Sequence, residues 1–322
     1  MLQKIAHLLK QEIEELIASL PGDSSFKQLI QQPLMGPGRP LSESGYRSSL
    51  LPVLISQSVC DGYEHVLPLS AAICFMQTAA DVFDDVEDQD SKSSLIATAG
   101  YAQAVNIATA LLLLAQLAMV RLKTKNVDNG SIVSIIAEIS KYGIMSCTGQ
   151  YLDIKHKSNT DITEDQYLDM VALKSAPPME CACLTAAMLS TDNQNLIDAF
   201  ARFGHNIGMA TQLVNDIHGI TKSETGKSDI IAKQVTLPII YALENAEGND
   251  LELLSSIYKG SDAVTPQTEK QVIKLLFDTG AIHYTVVTME LYRQKALATL
   301  KQAAKYGSDT KTLTGLVESL QD

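Results

Sequence analysis

Six acidic residues occupy the ten positions from Asp81 to Asp90, directly after an apolar segment that begins near Leu67. If the segment continues as one helix, Asp81, Asp84, Asp85 and Asp88 are spaced i, i+3, i+4 and i+7, which places four carboxylates on one face. Such a face repels itself unless a cation binds to it, and Mg2+ prefers oxygen ligands. The stretch therefore predicts a magnesium site at the end of a buried helix.

A solvent-exposed helix end is the alternative interpretation of these acids, because most blocks of like charge lie in solvent. An EF-hand is a poor fit, since a calcium loop starting at Asp84 or Asp88 would lack Gly at its sixth position and Glu at its twelfth. The apolar residues before the acids favour a site at the mouth of a buried region. A second polar cluster far along the chain, Gln212 to Asp216, favours it further.

Composition favours a single large helical domain over residues 1–322. Ala, Leu and Ile dominate, Trp is absent, and no long alternation of apolar and polar residues predicts a sheet. The fold class predicted is therefore all-α, a helical bundle. The net charge of −12 argues against a nucleic-acid partner, which would require a basic surface.

The cysteines and the apolar runs predict a cytoplasmic protein. Five cysteines without framework spacing are typical of reduced thiols in a cytosol. No stretch has the pattern of a signal peptide. The longest apolar run, IATALLLLAQLAMV, is shorter than the roughly 20 residues needed to span a bilayer, so we expect no transmembrane segment.

Helical periodicity and Gly or Pro punctuation predict the helices in order. They are expected at 1–20, 26–32, 48–60, 64–88, 94–124, 130–155, 163–190, 194–222, 231–246, 249–258, 266–279, 281–306 and 309–320. Pro177-Pro178 is expected to kink or interrupt the helix predicted over 163–190.

The second polar cluster lies within the sequence FGHNIGMATQLVNDIHG. Gln212, Asn215, Asp216 and Gly219 fall on one face of a helix whose other residues are small or apolar. Bundles build metal sites from acids on facing helices, so this cluster is a candidate partner for Asp84 and its neighbours. A helix approaching its C-terminal turn is the alternative interpretation.

These elements together resemble the trans-isoprenyl diphosphate synthase (polyprenyl synthetase) family over roughly residues 45–245. Five elements in the family's order carry the resemblance: DDxxD at Asp84–Asp88, GQ-x-LD at Gly149–Asp153, Tyr167 followed by Lys174-Ser175, FGxxxGxAxQxxDD at Phe203–Asp216, and the closing GK, SD and TLP at Gly226-Lys227, Ser228-Asp229 and Thr236–Pro238. DDxxD alone is a weak signal, but five elements in order are a specific one.

The resemblance implies an isoprenoid synthase fold with a deep central cavity, and it suggests a homodimer. It also implies about three Mg2+ ions around an allylic prenyl diphosphate. The implied metal ligands are Asp84, Asp85, Asp88, Asn215 and Asp216, and the implied catalytic residues add Lys174 and Gln212 to these acids. The implied substrate-binding residues are Arg47, Gln77, Ala79, Ala80, Gln150, Lys174, Lys227 and Lys233.

The chain departs from the family where the second substrate would bind. Chain-elongating members bind isopentenyl diphosphate through a GKxxRP-type loop and an Arg pair, whereas the matching stretches here, SGYRSSLLP and QDSKSS, each carry a single cation, Arg47 and Lys92. The second motif reads NDIHG, with Asn215 for the first Asp and Gly219 for the last. Lys233 stands one position before the place of the family's late Lys.

Three functions are compatible with this pattern. The leading one is a Mg2+-dependent enzyme that ionises an allylic prenyl diphosphate and transfers the prenyl group, by family default to isopentenyl diphosphate. The second is a class I terpene cyclase or a prenyltransferase with a non-diphosphate acceptor, such as those that modify a quorum-sensing peptide. The third is a non-catalytic subunit that regulates an active synthase.

Residues one turn before Asp84 are expected to set the length of the prenyl tail. Ala79 and Ala80 would face the tail pocket, with Met76 and Ile73 deeper. Because the side chains of the two alanines are small, we expect the pocket to accept a farnesyl-length tail or a longer one.

Overall fold

The computed structural model describes residues 2–35, 41, 49–89, 94–157, 159–221, 228–260 and 263–321. Within these ranges the chain forms helices and turns and no strand, which confirms the predicted all-α class. The α-helices of the described residues are α1 Leu2–Ala18, α2 Ser24–Gln31, α3 Leu51–Val59, α4 Leu67–Glu87, α5 Ser94–Arg121, α6 Asn129–His156, α7 Glu164–Lys174, α8 Ala176–Ser190, α9 Gln194–Thr221, α10 Leu237–Asn245, α11 Gly248–Lys259, α12 Pro266–Asp278, α13 Ala281–Lys305 and α14 Lys311–Glu318.

The helix predicted over 163–190 is in fact two helices. The helical conformation is interrupted at Ser175, where α7 ends and α8 begins. Pro177 and Pro178 fall in the first turn of α8, where backbone N–H groups have no intrahelical partner and proline is tolerated. The predicted interruption is therefore confirmed.

The helix predicted to start at 231 begins later, at Leu237. Thr236, in extended conformation, precedes it and Pro238 lies in its first turn. Residues 229–233 form turns instead, and Lys233 has a left-handed φ of 54°.

The chain divides into two compact units, and the single domain predicted over residues 1–322 stays a prediction. The first unit comprises residues 1–140, 181–201 and 303–313. Within it α4 packs mainly against α5 and also against α1 and α3. The stretch from Leu67 to Phe75 is buried on every side, so α4 is a core helix whose C-terminal end carries the acids.

The second unit comprises residues 141–180, 202–302 and 314–322. Its core is a cluster of apolar side chains to which α7, α9 and α10 contribute buried residues such as Met170, Leu213 and Ile239. Thr163 and Gln166 form a capping box at the start of α7, which satisfies two of its free backbone N–H groups.

Two glycines of α9 allow the start of α8 to pack closely on it. A Cβ added at Gly204 would lie 2.5 Å from the Met179 carbonyl oxygen, and one at Gly208 would lie 2.6 Å from Ala176 Cα. Both distances are too short for any side chain. The start of α8 therefore lies directly against the α9 backbone.

Two stretches have the length and hydropathy of a membrane-crossing helix, Glu64–Glu87 and Leu95–Lys125. In the first, 72% of the apolar window is buried inside the protein, which is the behaviour of a core helix. In the second only 44% is buried, so α5 leaves apolar side chains uncovered. The predicted absence of a transmembrane segment stays a prediction.

We expect Gly208→Ala to destabilise the protein by about 1–3 kcal/mol, because the added methyl group overlaps the backbone at Ala176. Gly315→Ala in α14 is the matched control, since a Cβ there meets nothing within 4 Å. That helix substitution should instead stabilise by up to about 1 kcal/mol. Urea unfolding measures both, and equal stability of Gly208→Ala and wild type would contradict the close packing.

Candidate active site

The first acidic motif lies at the C-terminal end of α4, where the predicted helix and its acidic face are confirmed. Asp84 and Asp85 are half-buried and Asp88 is exposed at the C-cap, where its N–H donates to the Asp84 carbonyl at 2.8 Å. The C-terminal end of a helix carries partial negative charge, which adds to that of the carboxylates. This end of α4 is therefore strongly attractive to a cation.

The donors of this motif fit Mg2+, because all of them are carboxylate oxygens. Among the residues that the structure describes, no three His, Cys, Asp or Glu side chains converge closely enough to hold a metal on their own. Mg2+ usually keeps several waters and binds through one or two carboxylates together with substrate phosphates. The donor set therefore suits ions that share their ligands with a bound diphosphate.

The second motif places two neighbouring residues in opposite environments. Asn215 is exposed, whereas Asp216 is only 1% exposed. The Tyr167 hydroxyl on α7 donates to one carboxylate oxygen of Asp216, and the Gln212 amide donates to the other at 2.9 Å. Both oxygens of this buried carboxyl group are thus hydrogen-bonded.

Burial raises the pKa of Asp216 to about 7, despite the hydrogen bonds from Tyr167 and Gln212 that lower it. The negative charges of Asp229 and Asp153 contribute to this raised pKa. Burial, together with the adjacent Asp216, also raises the pKa of the Tyr167 hydroxyl far above its usual value. The tyrosine is therefore a neutral donor to Asp216.

Lys174, at the end of α7, forms an ion pair with Asp153 of α6 at 2.5 Å. The two side chains are 27% and 23% exposed, so the pair is partly shielded and still accessible. The helices approach closely at Gly149, where an added Cβ would lie 2.2 Å from the Lys174 backbone nitrogen. The GQ-x-LD segment thus positions Lys174 through a glycine contact and a carboxylate.

Ser175 connects this pair to the second motif. Its hydroxyl donates to the Gln212 side-chain oxygen at 2.7 Å, while the Gln212 amide donates to Asp216. The break between α7 and α8 therefore places Lys174 beside Asp153 and Ser175 beside α9. Side chains of α6, of the junction between α7 and α8, and of α9 therefore meet in one network.

The remaining predicted substrate-binding residues differ in how far they are buried and in what they contact. Gln77 and Gln150 are half-buried on α4 and α6. The Lys233 ammonium donates to the Gly260 carbonyl at 2.7 Å. Arg47 and Lys227, together with Lys92, lie outside the described residues, and what each of these side chains binds stays a prediction.

Ala79 and Ala80 differ in a way that the sequence did not predict. Ala79 is 0% exposed and Ala80 is exposed. Successive helical residues are about 100° apart around the axis, so one face cannot contain both fully. Ala79 is enclosed in the interior and Ala80 is accessible to solvent, and which of the two adjoins a prenyl tail stays a prediction.

Sequence reasoning missed the pairing of Asp216 with Tyr167, of Lys174 with Asp153, and of Ser175 with Gln212. The family motifs marked these residues separately. No spacing in the sequence predicts the contacts, because each pair joins different helices.

Comparison with known proteins agrees with the fold and the motifs. The polyprenyl synthetase family model matches residues 43–276, and the chain belongs to this family. The chain is 28% identical to a geranylgeranyl diphosphate synthase of Mycobacterium tuberculosis over 81% of this chain and 75% of that protein. It is 27% identical to the tryptophan prenyltransferase ComQ of Bacillus spizizenii over 74% of this chain and 81% of that protein.

Solved structures show the same fold. A polyprenyl synthase from Caulobacter crescentus CB15, complexed with calcium and isoprenyl diphosphate, superimposes with a TM-score of 0.81 at 20% identity, covering 99% of this chain and 96% of that one. The predicted isoprenoid synthase fold is confirmed, as is the prediction of an enzyme that transfers prenyl groups.

We expect the stability of the wild type to fall relative to Asp216→Asn as pH rises from about 4 to about 7. A buried carboxyl group with a raised pKa binds its proton more tightly in the folded state, so stability is highest below the unfolded pKa and is lost as pH rises towards 7. The relative loss should be about 3 kcal/mol.

Urea unfolding in EDTA at pH 5 and pH 8 measures this difference. Asp192→Asn, at an exposed position, is the control and should follow the wild type. Parallel pH profiles for wild type and Asp216→Asn would contradict the buried, protonatable state of Asp216.

Proposed function

We propose that this protein is a Mg2+-dependent transferase that ionises an allylic prenyl diphosphate and passes the prenyl group to an acceptor. The observation that carries the proposal is the network of the second unit, in which Lys174, Gln212 and Asp216 are held by Asp153, Ser175 and Tyr167. Its side chains come from the motif segments that define the family. The acidic end of α4 supplies the other half of the chemistry.

The side chains of each acidic motif are the ligands that we propose for the metal ions that bind the diphosphate. Asp84, Asp85 and Asp88 contribute carboxylate oxygens, and Asn215, which is exposed, contributes an amide oxygen beside Asp216. Bound Mg2+ neutralises the charge of the leaving diphosphate. Lys174 adds a charge-assisted hydrogen bond to the same group.

Isopentenyl diphosphate is the acceptor we propose first, as the family default. A side chain of a peptide is a second candidate, because the stretches that would bind an acceptor diphosphate contain only Arg47 and Lys92 as cations. A side-chain acceptor carries no diphosphate and requires no such cations. The likeness to a tryptophan prenyltransferase supports this second candidate.

We also propose that the protein forms a homodimer through the exposed face of α5. Large apolar side chains remain uncovered along this helix: Val105, Leu112, Leu113, Leu117 and Val120. Contiguous exposed apolar surface of this kind marks an interaction site, and two-fold dimers are the commonest assemblies.

The activity is tested by incubating the purified chain with Mg2+ and labelled farnesyl diphosphate. Separate reactions contain isopentenyl diphosphate, a tryptophan-containing peptide, or no acceptor. We expect a longer prenyl diphosphate in the first reaction. A labelled peptide would select the second acceptor, and a hydrocarbon without any acceptor would identify a cyclase. No product in any reaction, with no binding of Mg2+ and diphosphate in calorimetry, would overturn the proposal and favour a regulatory subunit.

We expect Lys174→Gln to weaken Mg2+-dependent binding of pyrophosphate roughly 10-fold to 100-fold, because a hydrogen bond to a charged group contributes about 1.5–3 kcal/mol. Glutamine can still donate to Asp153, so the fold is preserved. Isothermal titration calorimetry measures the Kd. Lys274→Gln, which removes an exposed lysine paired with Asp278, is the control and should bind as the wild type does. An unchanged Kd for Lys174→Gln would limit Lys174 to its pair with Asp153.

A further inference from the structure

A cluster of histidine, glutamate and tyrosine lies in the second unit, outside the network of Lys174 and Asp216. Nδ1 of the His205 ring lies 3.0 Å from Glu180 Oε2, and the Tyr142 hydroxyl donates to Glu180 Oε1 at 2.8 Å. The histidine belongs to α9, the glutamate to α8 and the tyrosine to α6. Each carboxylate oxygen therefore has a partner, and each partner comes from a different helix.

The three side chains of this cluster differ in exposure. Tyr142 is 7% exposed and the Glu180 side chain 21%, whereas the His205 side chain is 37% exposed. The phenol and the carboxylate are thus largely enclosed, and the imidazole is accessible to a ligand. An enclosed pair that holds an accessible imidazole is the arrangement expected of a histidine with a chemical role.

The hydrogen bond to Glu180 decides which nitrogen of His205 is basic. Nδ1 faces the carboxylate, so the neutral imidazole carries its proton there and keeps its lone pair at Nε2. Within the part of the chain that the structure describes, Nε2 makes no hydrogen bond. A carboxylate that orients one nitrogen and leaves the other available is the pattern of a general base.

His205 lies on the same face of α9 as Gln212. The two residues are seven positions apart, which is close to two full turns and about 10 Å along the helix. Both meet the segment from the α7–α8 junction into α8, where Gln212 contacts Ser175 and His205 contacts Glu180. A Cβ added at Gly204 would lie 2.7 Å from Glu180 Cα, so the helices are held close at this level. His205 therefore has a fixed distance from the network that contains Gln212.

Transfer of a prenyl group to a carbon acceptor requires a base. The C–O bond to the diphosphate breaks with its electron pair on the leaving oxygen, and the π electrons of the acceptor form the new C–C bond. The acceptor then carries a positive charge. A neighbouring C–H bond gives its electron pair to a new double bond, and the proton must pass to a base.

The position of His205 suits this step. A separation of about 10 Å along α9 leaves room for the reacting carbons of both substrates between Gln212 and the imidazole. The carboxylate of Glu180 would repel a second diphosphate but would stabilise the imidazolium that forms when Nε2 takes up a proton. The uncharged, π-bonded end of an acceptor is therefore the chemistry that this place accepts.

We propose that His205 is the general base that takes the proton from the alkylated acceptor at Nε2. Glu180 and Tyr142 are positioning residues, which hold the imidazole in the required tautomer and orientation. The inference rests on the proposed function. It applies to an alkene and to an indole ring alike, because both must lose a proton after the new C–C bond forms.

Four variants test the inference: His205→Gln, Glu180→Gln, Tyr142→Phe and the control His283→Gln. The control removes an exposed histidine of α13. The kcat and KM of transfer are measured with Mg2+ and labelled farnesyl diphosphate, using isopentenyl diphosphate and, separately, a tryptophan-containing peptide as acceptor. Calorimetry gives the Kd for Mg2+-dependent binding of inorganic pyrophosphate, and the unfolding temperature reports on the fold.

We expect His205→Gln to lower the kcat of transfer roughly 100-fold to 10,000-fold, which is the usual contribution of general base catalysis. Its KM, its Kd for pyrophosphate and its unfolding temperature should stay near those of the wild type, since glutamine can still donate to Glu180. Glu180→Gln and Tyr142→Phe should lower kcat by smaller factors, again without raising KM. His283→Gln should match the wild type.

An unchanged kcat for His205→Gln would overturn this inference and leave the proposed function standing. A parallel loss of turnover and of pyrophosphate binding in His205→Gln would also overturn it, because the histidine would then support the fold or the diphosphate site. Absence of transfer to either acceptor by the wild type, with no Mg2+-dependent binding of pyrophosphate, would overturn both the proposed function and this inference.

Discussion

The site depends on the burial of one carboxyl group, that of Asp216. Removing an ionisable group from water is unfavourable, and it is tolerated here because Tyr167 and Gln212 each donate to one of its oxygens. Tyr167 belongs to α7, whereas Gln212 and Asp216 both belong to α9, so the tyrosine hydrogen bond links the two helices.

Close packing of backbones extends the same constraint to the cation. Gly149 lets α6 approach the end of α7, and Gly208 lets α9 approach the start of α8. The break at Ser175 lies between these two contacts. Lys174 is therefore held between two close backbone contacts and an ion pair with Asp153.

The departures from the family pattern in the second motif lower its negative charge. Relative to the family pattern, Asn215 and Gly219 remove two negative charges from the motif. A site with fewer carboxylates attracts metal ions less strongly, while the buried Asp216 contributes full charge only when it is deprotonated.

The sequence by itself determined the helices, the acidic face of α4 and the family, because 3.6-residue periodicity and motif order are local properties of the chain. Only the tertiary structure decided which side chains meet. Lys174 and Asp153 are 21 residues apart, and Tyr167 and Asp216 are 49 apart, and no local pattern encodes either contact. Periodicity gives the face on which a residue lies, but the packing of neighbouring helices decides what covers that face. For this reason Asn215 and Asp216, adjacent in one motif, are exposed and buried respectively.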